Sequence, residues 1–212
     1  MTGSPQAVAE ILAALSVGER LAHERAQRIV ALAPDDGRRK QQQHVAAREA
    51  KNASLMEARA RELGSPETIQ RFEPFFREFF EHTVPADWLE AQTFQYVGDS
   101  LVKDLTDALA PVLDPVSAEV VRRTLADRDE QDAFALDEIT GGIEDDPAAA
   151  DRIAAYARRV IGEALTQTRR ALDETDAVRT LLDGEEGEKR LLLDMLEQHR
   201  ARLDRLGIEL VD

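Results

Sequence analysis

Apolar residues recur at three- and four-residue spacing along most of the chain, the period of one face of an α-helix. Val8, Ile11, Leu12, Leu15, Ala22, Ala26, Ile29 and Ala33 make the first stripe, predicting a helix from about Gln6 to Ala33 that Pro34 stops and Asp35-Asp36-Gly37 turns. A second helix, from about Arg38 to Leu63 with Gly64 just past its end, has its stripe in Val45, Glu49, Asn52 and Met56. Asp87 and Glu90 have capping-box spacing and open a third, to about Ala110 before Pro111. Asp114-Pro115 opens a fourth, ending near Gly141-Gly142, and Asp146-Pro147 a fifth, to about residue 178. A sixth spans about Lys189 to Leu206, its stripe carrying Leu192, Met195, Leu196, His199 and Leu203. Between the second and third lies a short Phe-rich helical connection, with Ser65-Pro66 as its expected start and Pro74 interrupting it. Five phenylalanines cluster there, Phe72, Phe75, Phe76, Phe79 and Phe80, read as a plug on the bundle's end or a subunit contact.

Long helices joined by short turns pack as antiparallel neighbours. The expected fold is all-α: one domain over residues 1–212, a four-helix core over about 6–140 and two additional C-terminal helices over about 147–207. Composition agrees, since Ala, Leu, Arg and Glu are abundant while Gly (11) and Pro (8) are few. Cysteine is absent, which excludes disulfides, thiolate metal sites and thiol nucleophiles. No window is apolar enough to span a membrane and the N-terminus has no secretory pattern, so a cytoplasmic location without membrane partners is expected. A formal charge of −15 repels phosphate backbones and makes nucleic acid a disfavoured partner.

The polar residues inside the stripes carry the candidate chemistry. In an antiparallel bundle the helix midpoints share one level, and here they hold Glu19, Glu49, Asp99 and, on the fourth helix, Asp127 or Glu130. One acid per helix at one height is how a bundle builds a dinuclear carboxylate centre, with Glu-x-x-His on two of the helices. The histidines are missing: Asn52 stands three residues after Glu49, and an amide oxygen is a weak ligand for iron. Lys103, four residues after Asp99, is a candidate for the balancing cation, and His23 a candidate substitute ligand on the flank of Glu19. The alternative is a core in which the acids pair with Arg and Lys. No phosphate loop, nucleophile elbow or dinucleotide fingerprint is present.

Several segments resemble the actinobacterial ferritin-like proteins grouped with MiaE-like tRNA hydroxylases: LSVGERLAHERA (15–26), HVAAREAKNASLM (44–56), FFEHTVPADWLEAQTFQYVGDSL (79–101), TLADRDEQDAFALDEI (124–139) and IGEALTQ (161–167). The resemblance covers essentially the whole chain. It implies a ferritin-like bundle with di-iron ligand slots at Glu19, Glu49, Asp99 and the acids of Asp127 to Glu130, with Asn52 where many relatives have histidine. Glu163 and Gln167 match the family stretch and are expected to hydrogen-bond the core acids. The family implies tRNA as a substrate, against the net charge. Two readings follow: a degenerate metal site with altered or lost activity, holding iron, another divalent metal or none, and an active di-iron oxygenase on an unknown substrate. Iron storage is a weaker third. A homodimer is expected for the non-catalytic form.

Overall fold

The computed structural model describes residues 4–64 and 68–208. Helix α1 (Pro5–Ile29) continues as a 3-10 turn (Val30–Leu32), and α2 (Asp36–Glu62) begins where the Asp35 side chain accepts a hydrogen bond from the Arg38 amide at 2.9 Å. Gly64, at φ +94°, ends it. Arg38 also reaches Asp35 and Glu138, so this helix end is tied down by ion pairs. The Ser65-Pro66 start expected for the next helix lies outside the described residues. Helix α3 (Thr68–His82) runs through Pro74 without a break, contrary to the expected interruption.

The third and fourth helices expected from the sequence are each broken. The third becomes α4 (Trp88–Val97) and α5 (Asp99–Leu109), separated at Gly98. The fourth becomes α6 (Pro115–Thr124) and α7 (Arg128–Asp145), separated by Leu125 to Asp127. The caps are as the sequence indicates: Asp87 accepts from the Glu90 amide and Glu90 from that of Ala86, while Asp114 accepts from Val116 and Ser117. Gly141 and Gly142 do not end α7. A Cβ on Gly142 would stand 2.5 Å from a Leu89 methyl, so this glycine lets α4 pack against the helix, and the helix continues.

Helix α8 (Ala149–Asp173) is followed by a short α9 (Ala177–Leu181) and by α10 (Glu185–Arg205), which closes in a Schellman turn at Gly207: the Ile208 amide donates to the Leu203 carbonyl at 3.0 Å and both side chains are buried.

Two apolar clusters make most of the core. One joins the N-terminal half of α1 to the C-terminal half of α2, α6, α9 and the start of α10, and the other joins α4, α7 and α8 to the end of α10. Ala26 of α1 meets Val45 and Ala46 near the start of α2, so the two long helices are antiparallel and their midpoints coincide. The aromatic connection is not an end plug. Helix α3 lies lengthwise against α1 and α8, with Phe79 and Phe80 packed on Phe94 at ring separations of 5.6 Å.

Candidate functional site

At the shared level of α1 and α2, three of the expected acids converge. Glu19 and Glu49 are 2% and 1% exposed, and Asp99, at the N-terminus of α5, is mostly buried beside them. What they surround is a guanidinium. Arg128 Nη2 lies 2.8 Å from Glu19 and 3.5 Å from Glu49, and Nη1 lies 3.7 Å from Asp99.

The buried stripe of α6, Ser117, Val121 and Thr124, carries on in phase across the break into α7, and that phase brings this arginine into the core. Asp127, Asp129 and Glu130 are left exposed while Arg128, first residue of α7, points inward with Gln131, Ala135 and Ile139. Asp127 and Glu130 therefore do not join the other acids, correcting the expected fourth-helix contribution. Their solvation in water is lost only at a cost, and the position they were assigned holds the one side chain type that neutralises the other three. Lys103 likewise points away, pairing with Asp107 at 3.0 Å and Asp129 at 3.8 Å near the surface.

Arg48 completes the cluster from the side. Its Nη2 donates to Glu49 at 2.9 Å and also meets the Gln131 side chain. Asn52 is a donor here: Nδ2 lies 3.3 Å from Glu19 Oε2 and 3.2 Å from the Thr124 carbonyl, which the end of α6 leaves without a helical partner.

These contacts divide the protons. Burial pushes Glu19 well above the usual carboxylate range, the neighbouring Glu49 charge adds to this, and Arg128 opposes it. Burial acts on Glu49 in the same direction, but two arginines and a hydrogen bond from Glu19 outweigh it and hold Glu49 down at about 2. Arg128 is nearer to Glu19 than to Glu49, yet Glu49 is the ionised partner because it alone also has Arg48. Burial raises Asp99 to about 7 despite Arg128, with Glu49 adding to the rise. Burial works against the charge of Arg128, but the three carboxylates more than compensate and it stays protonated.

The remaining site candidates lie elsewhere. His23 Nδ1 donates to the Ala46 carbonyl at 2.7 Å, on the α1–α2 seam. Glu163 pairs with His82 at 2.9 Å, and Gln167 donates to Glu163 and Glu78, so both serve the α3–α8 contact and neither touches a core acid. His199 is buried as its stripe suggests, though neither ring nitrogen has a hydrogen-bond partner among the described residues.

Three arginines escaped the reading of the sequence: Arg48, Arg128 and Arg25. Val121, Thr124, Arg128, Gln131, Ala135 and Ile139 are all buried and follow one another at three- and four-residue spacing, so a search for that stripe regardless of residue type would have found Arg128. Arg25 is also buried. It donates to the carbonyls of Thr83 and Phe80, and its guanidinium lies 4.7 Å from the Phe94 ring centre, fixing the α3–α4 turn against α1.

This arrangement does not fit a dinuclear metal centre. The guanidinium occupies the space where bridging carboxylates would hold cations, no imidazole faces it, and among the described residues no group of three or more His, Cys, Asp or Glu has metal-holding geometry. A cavity of about 10 Å³ lies beside Arg25, Glu49, Gln95 and Asp99, room for one water and no organic substrate. Among the described residues no helix is long and apolar enough to cross a membrane.

No curated protein matches the chain. Residues 4–185, from α1 through α9 into the start of α10, match the family described as ferritin-like domain, actinomycetes. With the antiparallel α1–α2 pair, the broken third and fourth helices and the acids at their common level already in view, the chain belongs to this family of ferritin-like domains.

Proposed function

We propose that the protein is a metal-independent ferritin-like module, in which Arg128 supplies the positive charge that a metal centre would bring to the same carboxylates. The position of its guanidinium between Glu19, Glu49 and Asp99 carries this reading. A buried arginine with three acid partners is a structural group, because moving it would strand charges in a medium that does not solvate them. The MiaE-like hydroxylase reading needs that guanidinium displaced before any metal is held, and the cavity beside the acids leaves no room for a nucleoside. On this reading the protein has no nucleic-acid partner, in keeping with a charge of −15, and works in the cytoplasm as a homodimer.

Iron loading under reducing conditions, followed by desalting and metal analysis, tests the reading. The expected result is well below one iron per chain and an unchanged melting temperature. Stoichiometric iron with a raised melting temperature would restore the oxygenase reading.

A further inference from the structure

A cavity of about 150 Å³ lies between α1, α3, α5, α8 and α10, and its wall is almost wholly apolar. Phe72, Phe75, Phe76 and Phe79 form one side, facing Leu101 and Leu105 of α5. It lies where α5, which packs on α10, faces α1 and α3. Protein interiors rarely leave such a space, since every wall atom forgoes contacts it would otherwise make. Water does not fill it well, because apolar walls offer a water molecule no partners, and apolar cavities of this size take hydrocarbon guests.

The surroundings indicate the rest of the guest. Of the polar wall groups, Gln167 donates to Glu78 and Glu163 and the Thr175 hydroxyl donates to Glu10, and the third is the uncharged hydroxyl of Thr168. Among the described residues no charged side chain lines the cavity, so whatever enters it is uncharged there. At Leu172 and Thr175 the cavity meets an open crevice of about 430 Å³. Glu10, Asp173, Glu174 and Asp176 line this crevice, against Arg71 and Arg179. Arg71 stands 4.0 Å from Glu10 and 3.9 Å from Glu174, and Arg179 3.5 Å from Asp176, so acids exceed arginines and each arginine is engaged. A head group in that crevice meets a negative field, reinforced by the charge of the whole chain.

We propose that this cavity binds the aliphatic chain of a small amphiphile whose polar end, in the acidic crevice, is not anionic. Aromatic and aliphatic walls bind the chain through its buried area, and the crevice selects the head by charge.

Calorimetric titration of the full chain with decanol, decylamine and decanoate, each below its aggregation concentration, tests this. The expected result is saturable one-site binding of decanol and decylamine, with decanoate at least about tenfold weaker. Ala14→Leu and Ala171→Leu, each adding bulk at the cavity wall, weaken decanol binding at least about tenfold while the melting temperature stays at or above that of the wild type. Absence of saturable binding, decanoate binding as tightly as decanol, or unchanged binding in a folded filled variant overturns the proposal. Because the wild-type titrations read chain and head selectivity directly, the test stands even if one variant fails to fold.

Discussion

Asn52 Nδ2 donates to the backbone carbonyl of Thr124 at 3.2 Å, joining the middle of α2 to the end of α6 across the level of the core acids. The same amide reaches Glu19 at 3.3 Å. A residue placed where a metal-binding histidine would stand therefore acts as a hydrogen-bond donor to two oxygens that burial has separated from water.

Replacing Asn52 by Ala leaves the Thr124 carbonyl and one Glu19 oxygen short of a donor. Such losses cost roughly 1–3 kcal/mol. Urea denaturation should show the midpoint falling with the slope unchanged. A stability equal to the wild type would mean that the two contacts contribute nothing.

Arg128→Met removes the central cation and retains an apolar side chain of similar length. The acids then face one another uncompensated, and a loss of ~3–5 kcal/mol is expected, as for a buried pair stripped of one partner. Adding Glu49→Gln should recover part of that loss by removing the most strongly ionised of the three acids. A double variant no more stable than the single one would disprove coupling between the two side chains.

The raised pKa of Asp99 has a sign that melting curves can read. Its folded value of about 7 lies above the ordinary 3.8, so between those values the folded chain binds more protons than the unfolded one. The contribution of this group to stability is therefore full below about pH 4 and declines as pH rises toward 7, by at most about 1.4 kcal/mol per pH unit. Asp99→Asn should gain stability relative to the wild type across that window, the difference levelling off above it. A difference constant with pH from 4 to 7 would show that Asp99 titrates normally.

The adjacent glycines of α7 make an internal control. A Cβ added to Gly141 would meet no atom within 4 Å, so Gly141→Ala should raise stability by about 0.5–1 kcal/mol through helix propensity. Gly142→Ala meets Leu89 at 2.5 Å and should cost about 1–3 kcal/mol of overpacking. Thermal melts of the two variants, run side by side, should move in opposite directions.

How far the chain disclosed its own structure follows from what each helix does. The α1 and α2 stripes are nearly unbroken, so their midpoints, Glu19 and Glu49, lie at the level that counting residues gives. Asp99 also arrives there, although Gly98 breaks its helix, because the break falls at that level and not before it. The fourth helix misled the count. Its buried stripe runs on in phase through the break at Leu125 to Asp127, keeping the acids outward and an arginine inward, so counting to a midpoint picked acids on the solvent face. The alternative of acids paired with Arg and Lys is the arrangement found at this level, with Arg128 and Arg48 as the partners; the sequence stripes do not name those arginines, because they leave arginine out.

Gly18 and Gly98 each directly precede a core acid, and each owes its missing side chain to a phenylalanine. A methyl on Gly18 would stand 3.1 Å from the Phe76 ring, and one on Gly98 2.9 Å from the Phe94 carbonyl oxygen and 3.4 Å from its ring. The aromatic rings thus brace from behind the very backbone that aims Glu19 and Asp99 forward. The carboxylates inherit their aim from a mould of phenylalanine, and a chain that eroded the mould would blur its charged centre while its helices still stood.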